Sequence, residues 1–181
     1  MAATAAARQA LGLPPSGPLI LGVGRLVRAK GFHLAVQALA ALPQARLVLV
    51  GDGPERQALC QASSCVQCLG PLQPDRVALA CQACDVLVLP SEREGWPNVV
   101  TEALGSGLPV VATAVGAVPQ MLADPSAGAC VPVGDGAALA RELRRVLQSP
   151  PPRDKIRAFA ARFSWDQPVQ RLAELLGQAL R

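Results

Sequence analysis

An α/β fold, three layers with a parallel sheet of about six strands between two layers of helices, is what this sequence predicts, and three observations lead there. Short apolar runs with no polar alternation recur along the chain, as strands buried on both faces require. Stretches of helical length separate them, so strand and helix alternate. Residues 84–120 show the repeat complete: a strand, a polar loop, a helix and a second strand, which is one βαβ crossover.

The elements follow in order. Residues 1–17 read as a short Ala-rich helix and a linker, broken by Pro14-Pro15-Ser16-Gly17. The run 18–24 (PLILGVG) is the first buried strand, and a helix is expected from about 32 to 42. A strand over 46–50, a helix over 54–62, a strand over 66–69 and a helix over 74–84 come next, the last two joined by the loop Gly70-Pro71-Leu72. The strand 85–89 ends at Pro90-Ser91 and opens into Glu92-Arg93-Glu94. Pro97 suits the first helical position, because it has no N–H to leave unpaired and its φ is already helical. That helix carries Glu102 and stops at Gly105-Ser106-Gly107, before a strand over 109–113. A strand over 128–133 and an amphipathic helix over 136–148 follow, the helix with Leu139, Leu143, Val146 and Leu147 on one side. Residues 149–152 break it, and 154–163 and 165–180 read as two last helices. The expected organisation is therefore 1–17 as linker and helix, 18–150 as the main domain, and 151–181 as helices packing on it.

Composition sets limits. With 181 residues and 51% hydrophobic content, the chain can build one well-cored domain and is too short for two of ordinary size. Only 17% is charged, which argues against a disordered chain. The net charge of +4 comes mainly from arginine, since Lys30 and Lys155 are the only lysines; it suits a phosphate-bearing ligand or an anionic membrane surface. Nucleic acid is disfavoured by 3% aromatic content, the lack of tyrosine and no basic run longer than Arg144-Arg145. The amino terminus lacks a basic segment before an apolar core and has Arg8 in its middle, so no signal peptide is expected. The expected location is the cytosol or the cytosolic face of a membrane, which leaves peripheral membrane association open.

Ligands of parallel sheets sit beyond the carboxyl ends of the strands, where the loop 90–97 lies. If Pro97 opens the helix, the N–H groups of Asn98, Val99 and Val100 are free to point outward, and with the helix dipole they favour an anion or a set of hydroxyl oxygens. Glu94 and Glu102 flank that site. A carboxylate beside a sugar accepts two hydrogen bonds from a vicinal diol; the plainer alternative is a pair of solvated glutamates near a helix start. A second pointer to an anion is the pair Arg25 and Lys30, between a strand end and a helix start, where the dipole disfavours cations until a diphosphate reverses the sign. The alternative there is two solvated surface cations. Gly22-Val23-Gly24 also resembles the start of a dinucleotide fingerprint, but Val27 replaces the third glycine and Asp52 lies in a turn sequence of its own, so a nicotinamide enzyme is disfavoured.

The stretch EGWPNVVTEALGSGLPVVAT resembles the E-x7-E signature of the retaining glycosyltransferases of two-domain GT-B architecture, in particular the large family 4, the glycosyl transferases group 1. Spacing, the Pro-Ser before it and the exit to the next strand agree together. Gly24-Arg25 with Lys30-Gly31 resembles the segment of that family that contacts the donor diphosphate. Residues 115–120 resemble its V-G-G-x-P-E turn, with Ala117 and Gln120 as departures, and 163–176 resemble its closing F-S-W segment. The resemblance covers residues 18–181. It implies the Rossmann-like C-terminal, donor-binding half of the GT-B fold. It further implies that Glu94, with Gly95, Trp96, Asn98 and Val99, holds the donor sugar, that Glu102 holds the ribose, and that Gly70 and Leu72 lie against the nucleobase. It also implies that Gly24 belongs to the donor-binding set and that Arg25, Lys30 and Glu94 form the catalytic set, the two cations stabilising the departing nucleoside diphosphate as a metal does in other transferases. The family has an aromatic two residues before the nucleobase glycine; Cys68 stands there, which leaves the base open among UDP-, GDP- and ADP-linked donors. No cofactor and no metal are expected. The implied reaction is hexose transfer to a hydroxyl acceptor with retention, in an enzyme whose N-terminal acceptor domain, in the same or a separate chain, is missing from these residues. The other reading is a non-catalytic nucleotide-binding or scaffolding module acting with a partner chain.

Cys65-x-x-Cys68 and Cys81-x-x-Cys84 have the spacing of a four-thiolate zinc site. Their placement on a strand and on a helix end argues against it, so free thiols are expected, including Cys60 and Cys130, in keeping with a reducing compartment. His33, the only histidine, lies inside a helix and reads as packing or surface.

Overall fold

The computed structural model describes residues 2–163. Its elements are α1 (Ala2–Ala10), β1 (Leu19–Val23), α2 (Phe32–Ala38), β2 (Arg46–Val50), α3 (Arg56–Gln61), β3 (Val66–Gly70), α4 (Pro74–Ala83), β4 (Val86–Leu89), α5 (Asn98–Gly105), β5 (Val110–Thr113), α6 (Val118–Met121), β6 (Gly128–Val131), α7 (Gly136–Gln148) and α8 (Arg153–Ala160). The expected helix over 165–180 and the F-S-W segment from 164 onward lie outside the described residues.

All six strands run parallel in the order β3-β2-β1-β4-β5-β6. Successive strand side chains point to opposite faces, and both faces are apolar, so the sheet builds two cores. Ile20, Leu47, Leu49, Val86, Val88 and Val111 pack with α2 and α7 on one side. Leu19, Leu21, Val48, Val50, Leu87 and Leu89 pack with α1, α4, α5 and α8 on the other. The strand order steps outward from β1 to β3, then restarts beside β1 with β4. At that reversal the chain leaves β1 toward α2 on one face and leaves β4 toward α5 on the other, the place where parallel sheets of this kind carry their ligand crevice.

Several boundaries differ from the sequence reading. Pro97 is the residue before α5, with an extended backbone (φ −74°, ψ 104°), so the helix starts at Asn98. The helix after Phe32 tightens to a 3₁₀ turn over Leu39–Ala41, and Arg28–Lys30 form another such turn. Arg8, which mattered in the sequence only as a charge, is 7% exposed and holds α1 to the amino edge of the sheet. Its guanidinium donates to the carbonyls of Ala83 and Gly17 at 2.9 Å each and to Asp85 Oδ2 at 3.0 Å, and the Leu19 N–H donates to the same carboxylate oxygen at 2.8 Å. This bolt lies at the end of the sheet opposite the crevice.

The cysteines correct the expectation of free thiols. Cys60 at the end of α3 and Cys68 in β3 form a disulfide across Cα atoms 6.0 Å apart. The turn between α3 and β3 folds the helix end back over the strand, a proximity that C-x-x-C spacing does not reveal. Cys68 is thereby removed from any set with Cys65, Cys81 and Cys84. Burial, with the Glu102 charge second, pushes the Cys81 thiol up to about 12, and burial pushes Cys84 in the same direction. With a sequence separation of 8 in the closed loop, reducing the disulfide is expected to lower stability by about 2.5 kcal/mol. Urea melts with and without reductant, and of Cys60→Ser, read this directly; a midpoint that ignores reductant contradicts it.

Candidate active site at the strand-order reversal

Three loops converge at the carboxyl ends of β1, β4 and β5, and backbone contacts set their spacing. Gly31 follows the Arg28–Lys30 turn at φ +67°, and a Cβ there would stand 2.0 Å from the carbonyl oxygen of Pro90. The Glu92 N–H donates to the Ala29 carbonyl at 2.9 Å, which ties the loop after β4 to the loop after β1. Gly116, at φ +52°, brings the loop after β5 equally close: a Cβ there would stand 2.1 Å from the Glu94 carbonyl oxygen. The Ala117 N–H then donates to the Gly95 carbonyl at 2.9 Å. Only glycine reaches such φ values without strain, so both residues are backbone requirements of the site.

This packing brings Lys30 and Glu94 together. Lys30 Nζ donates to Glu94 Oε1 at 2.6 Å, across 64 residues of sequence. The lysine stem passes over Gly24, whose added Cβ would meet Lys30 Cε at 3.8 Å. The Glu94 side chain is 10% exposed and that of Lys30 26%, so the pair sits at the lip of the crevice, partly shielded from water. Ser91, fully buried, donates its hydroxyl to the same Glu94 Oε1 at 2.6 Å. Thr113, at the end of β5 and 2% exposed, donates its hydroxyl to the Ser91 carbonyl.

The other expected site residues are placed around this pair. Arg25 is exposed on the loop after β1, and no side-chain bond to it occurs among the described residues. Glu102 and Asn98 are exposed, four residues apart on α5 and so on one helix face, while Val100, Ala103 and Leu104 turn to the core. Val99 is half-buried. The expectation of three free amides at this helix start is corrected, because Pro97 precedes the helix and its carbonyl accepts the Val100 N–H at 3.0 Å. Gly95 is exposed, and Trp96 is 50% exposed with its ring edge-on to Phe163 at 6.0 Å between centroids. Gly70 ends β3 at φ +74°, with the Arg56 guanidinium 3.7 Å from where its Cβ would be, and Leu72 is half-buried beside the α4 face of the sheet. The side chains of Ser91, Thr113 and Arg56 were not picked out by sequence; only the Pro-Ser dipeptide before the loop hinted at the first. His33 has a buried Nδ1 without a partner, and burial first, then Arg28, holds its pKa below the usual value. A separate groove of about 350 Å³, lined by Pro18, Leu42, Gln44 and Arg144 among others, lies at the amino ends of β1 and β2, away from these residues.

The arrangement offers a carboxylate, a lysine ammonium and the start of a helix at one crevice. It can grip a ligand that carries hydroxyls at one end and negative charge at the other.

Comparison with known proteins identifies the family and the fold. The sequence model of the glycosyl transferases group 1 family matches residues 4–163. A D-inositol 3-phosphate glycosyltransferase from Corynebacterium urealyticum is 34% identical over 194 aligned positions, covering 96% of this chain and 46% of that protein. Sucrose-phosphate synthase from Thermosynechococcus elongatus has a similar structure, with a TM-score of 0.84, 32% identity, and coverage of 96% of this chain and 48% of that one. HepE from Anabaena, solved in complex with UDP and glucose, superposes with a TM-score of 0.86 at 25% identity, covering 98% of this chain and 52% of that one. The chain spans about half the length of the relatives it matches.

Proposed function

Because the chain belongs to the glycosyl transferases group 1 family, we propose that it is the donor-binding half of a retaining, family 4 glycosyltransferase that moves a hexose from a nucleoside diphosphate to a hydroxyl acceptor. The observation that carries this reading is the Lys30–Glu94 pair at the strand-order reversal, where a parallel sheet takes its ligand. In the proposed complex, Glu94 accepts hydrogen bonds from sugar hydroxyls, the exposed Glu102 takes the ribose diol, and Gly70 and Leu72 face the base. Lys30 and Arg25 surround the diphosphate. As the bond between the anomeric carbon and the phosphate oxygen breaks, negative charge grows on the leaving phosphate, and the two cations stabilise it, Lys30 being already held in place by Glu94. The acceptor hydroxyl then attacks on the face the leaving group vacates, and its proton passes to the departing phosphate. The acceptor groups belong to a domain outside these residues, so the chain alone is expected to bind donor and to turn over little. No metal takes part in this scheme, and a location in the cytosol or at its membrane face belongs to the same proposal without support from the cysteines, two of which are disulfide-bonded. Among the described residues no helix is long and apolar enough to cross a membrane.

Calorimetric titration of the chain with UDP, GDP and ADP tests the reading. One of the three is expected to bind, and Glu102→Ala to weaken it about tenfold by removing a carboxylate that accepts two hydroxyls. Absence of binding by every nucleotide overturns the donor site, and vigorous hexose transfer by these 181 residues alone overturns the half-enzyme.

A further inference from the structure

We propose that Ser91 is a positioning residue that fixes the orientation of the Glu94 carboxylate and so leaves one of its oxygens free for the donor sugar, so that it governs affinity for the sugar part of the donor and not for the nucleotide. The inference rests on the donor-site reading above and deepens it.

A carboxylate turns about a broad, two-fold torsion, and its two oxygens are equivalent until something distinguishes them. Lysine alone distinguishes them weakly, since its ammonium is a point charge on a flexible stem. Here two donors meet one oxygen: Lys30 Nζ and Ser91 Oγ both lie 2.6 Å from Glu94 Oε1. Among the described residues no donor is bonded to Oε2. Ser91 is itself held, because it is 0% exposed and its carbonyl accepts the Thr113 hydroxyl from the end of β5. The chain Thr113, Ser91, Glu94 therefore runs from a rigid strand to the lip of the crevice and leaves Oε2 with unused acceptor capacity. A sugar hydroxyl is the chemical group that fits it. A diphosphate does not, being negative like the carboxylate.

The test compares a nucleoside diphosphate with its glucose conjugate, titrated into wild-type chain, Ser91→Ala, Thr113→Val and Thr113→Ser, with the base chosen as the one the wild type binds. Wild type is expected to bind the conjugate more tightly than the bare diphosphate. Ser91→Ala should cut that ratio about five- to tenfold, less than the full worth of a charge-assisted hydrogen bond because Lys30 still holds the carboxylate, and shift bare-diphosphate affinity less than twofold. Thr113→Val should cut the ratio by a smaller factor and Thr113→Ser restore it; this pair decides the matter if Ser91→Ala does not fold. A ratio untouched by Ser91→Ala, equal losses for both ligands, or a wild type that binds the two ligands equally each overturn the positioning role while leaving the nucleotide site standing. A wild type that binds no nucleotide removes the donor site, and the role with it.

Discussion

Lys30→Ala is expected to weaken nucleoside diphosphate binding roughly a hundredfold, which corresponds to about 2.7 kcal/mol. Two effects of the same sign combine. The ligand loses an ammonium that is 26% exposed and already placed at the crevice, where a charge-assisted bond is worth about 1.5–3 kcal/mol. In addition, Glu94 loses the cation that lies 2.6 Å from its Oε1, so an incoming diphosphate meets a carboxylate no longer neutralised. The loss should shrink as salt rises, because part of it is the field of a partly solvated charge. Arginine is not an adequate replacement, since its rigid planar fork presents its donors differently from a compact ammonium. Calorimetry of Lys30→Ala at fixed ionic strength reads the effect; an affinity within twofold of wild type removes Lys30 from the site.

Gly31→Ala is expected to be strongly destabilising, by about 3 kcal/mol or more. Its φ of +67° alone costs an alanine about 1 kcal/mol, and the added Cβ would stand 2.0 Å from the Pro90 carbonyl oxygen, a backbone atom that no rotamer change can move. Relief requires the loop after β1 to withdraw from the loop after β4, which breaks the Glu92 to Ala29 backbone bond and parts Lys30 from Glu94. Stability and nucleotide binding should therefore fall together. Gly134→Ala supplies the control, because Gly134 has a comparable φ of +77° with nothing within 4 Å of the added atom, so it carries the conformational cost alone. Urea midpoints for the two variants separate clash from strain; equal losses would mean that the loops are not in close contact.

Where the sequence was informative, the reason was burial. A strand covered on both faces is apolar along most of its length, so the runs within 46–50 and 85–89 announced themselves, and the alternation with helices followed. The chemistry of the site was legible as residue types: two glutamates and two cations near strand ends. Their mutual arrangement was not. Lys30 and Glu94 are 64 residues apart, and what joins them is a pair of backbone approaches at Gly31 and Gly116 that leave no periodic trace. The same blindness affected the cysteines, where local spacing drew attention to Cys65-x-x-Cys68 while the fold paired Cys68 with Cys60. Pro97 misled by one position because a proline suits both the first helical residue and the extended residue before it.

Local patterning thus determined that this chain makes alternating strands and helices and carries the residue types of the proposed donor site, since periodicity and side-chain chemistry are properties of neighbours in sequence. Only the tertiary structure decided that β4 inserts beside β1, that Ser91 and Lys30 meet on one oxygen of Glu94, and that Arg8 closes the opposite end of the sheet on Asp85. Those contacts join residues distant along the chain, and they exist because burying both faces of the sheet forces the loops at each end into close approach.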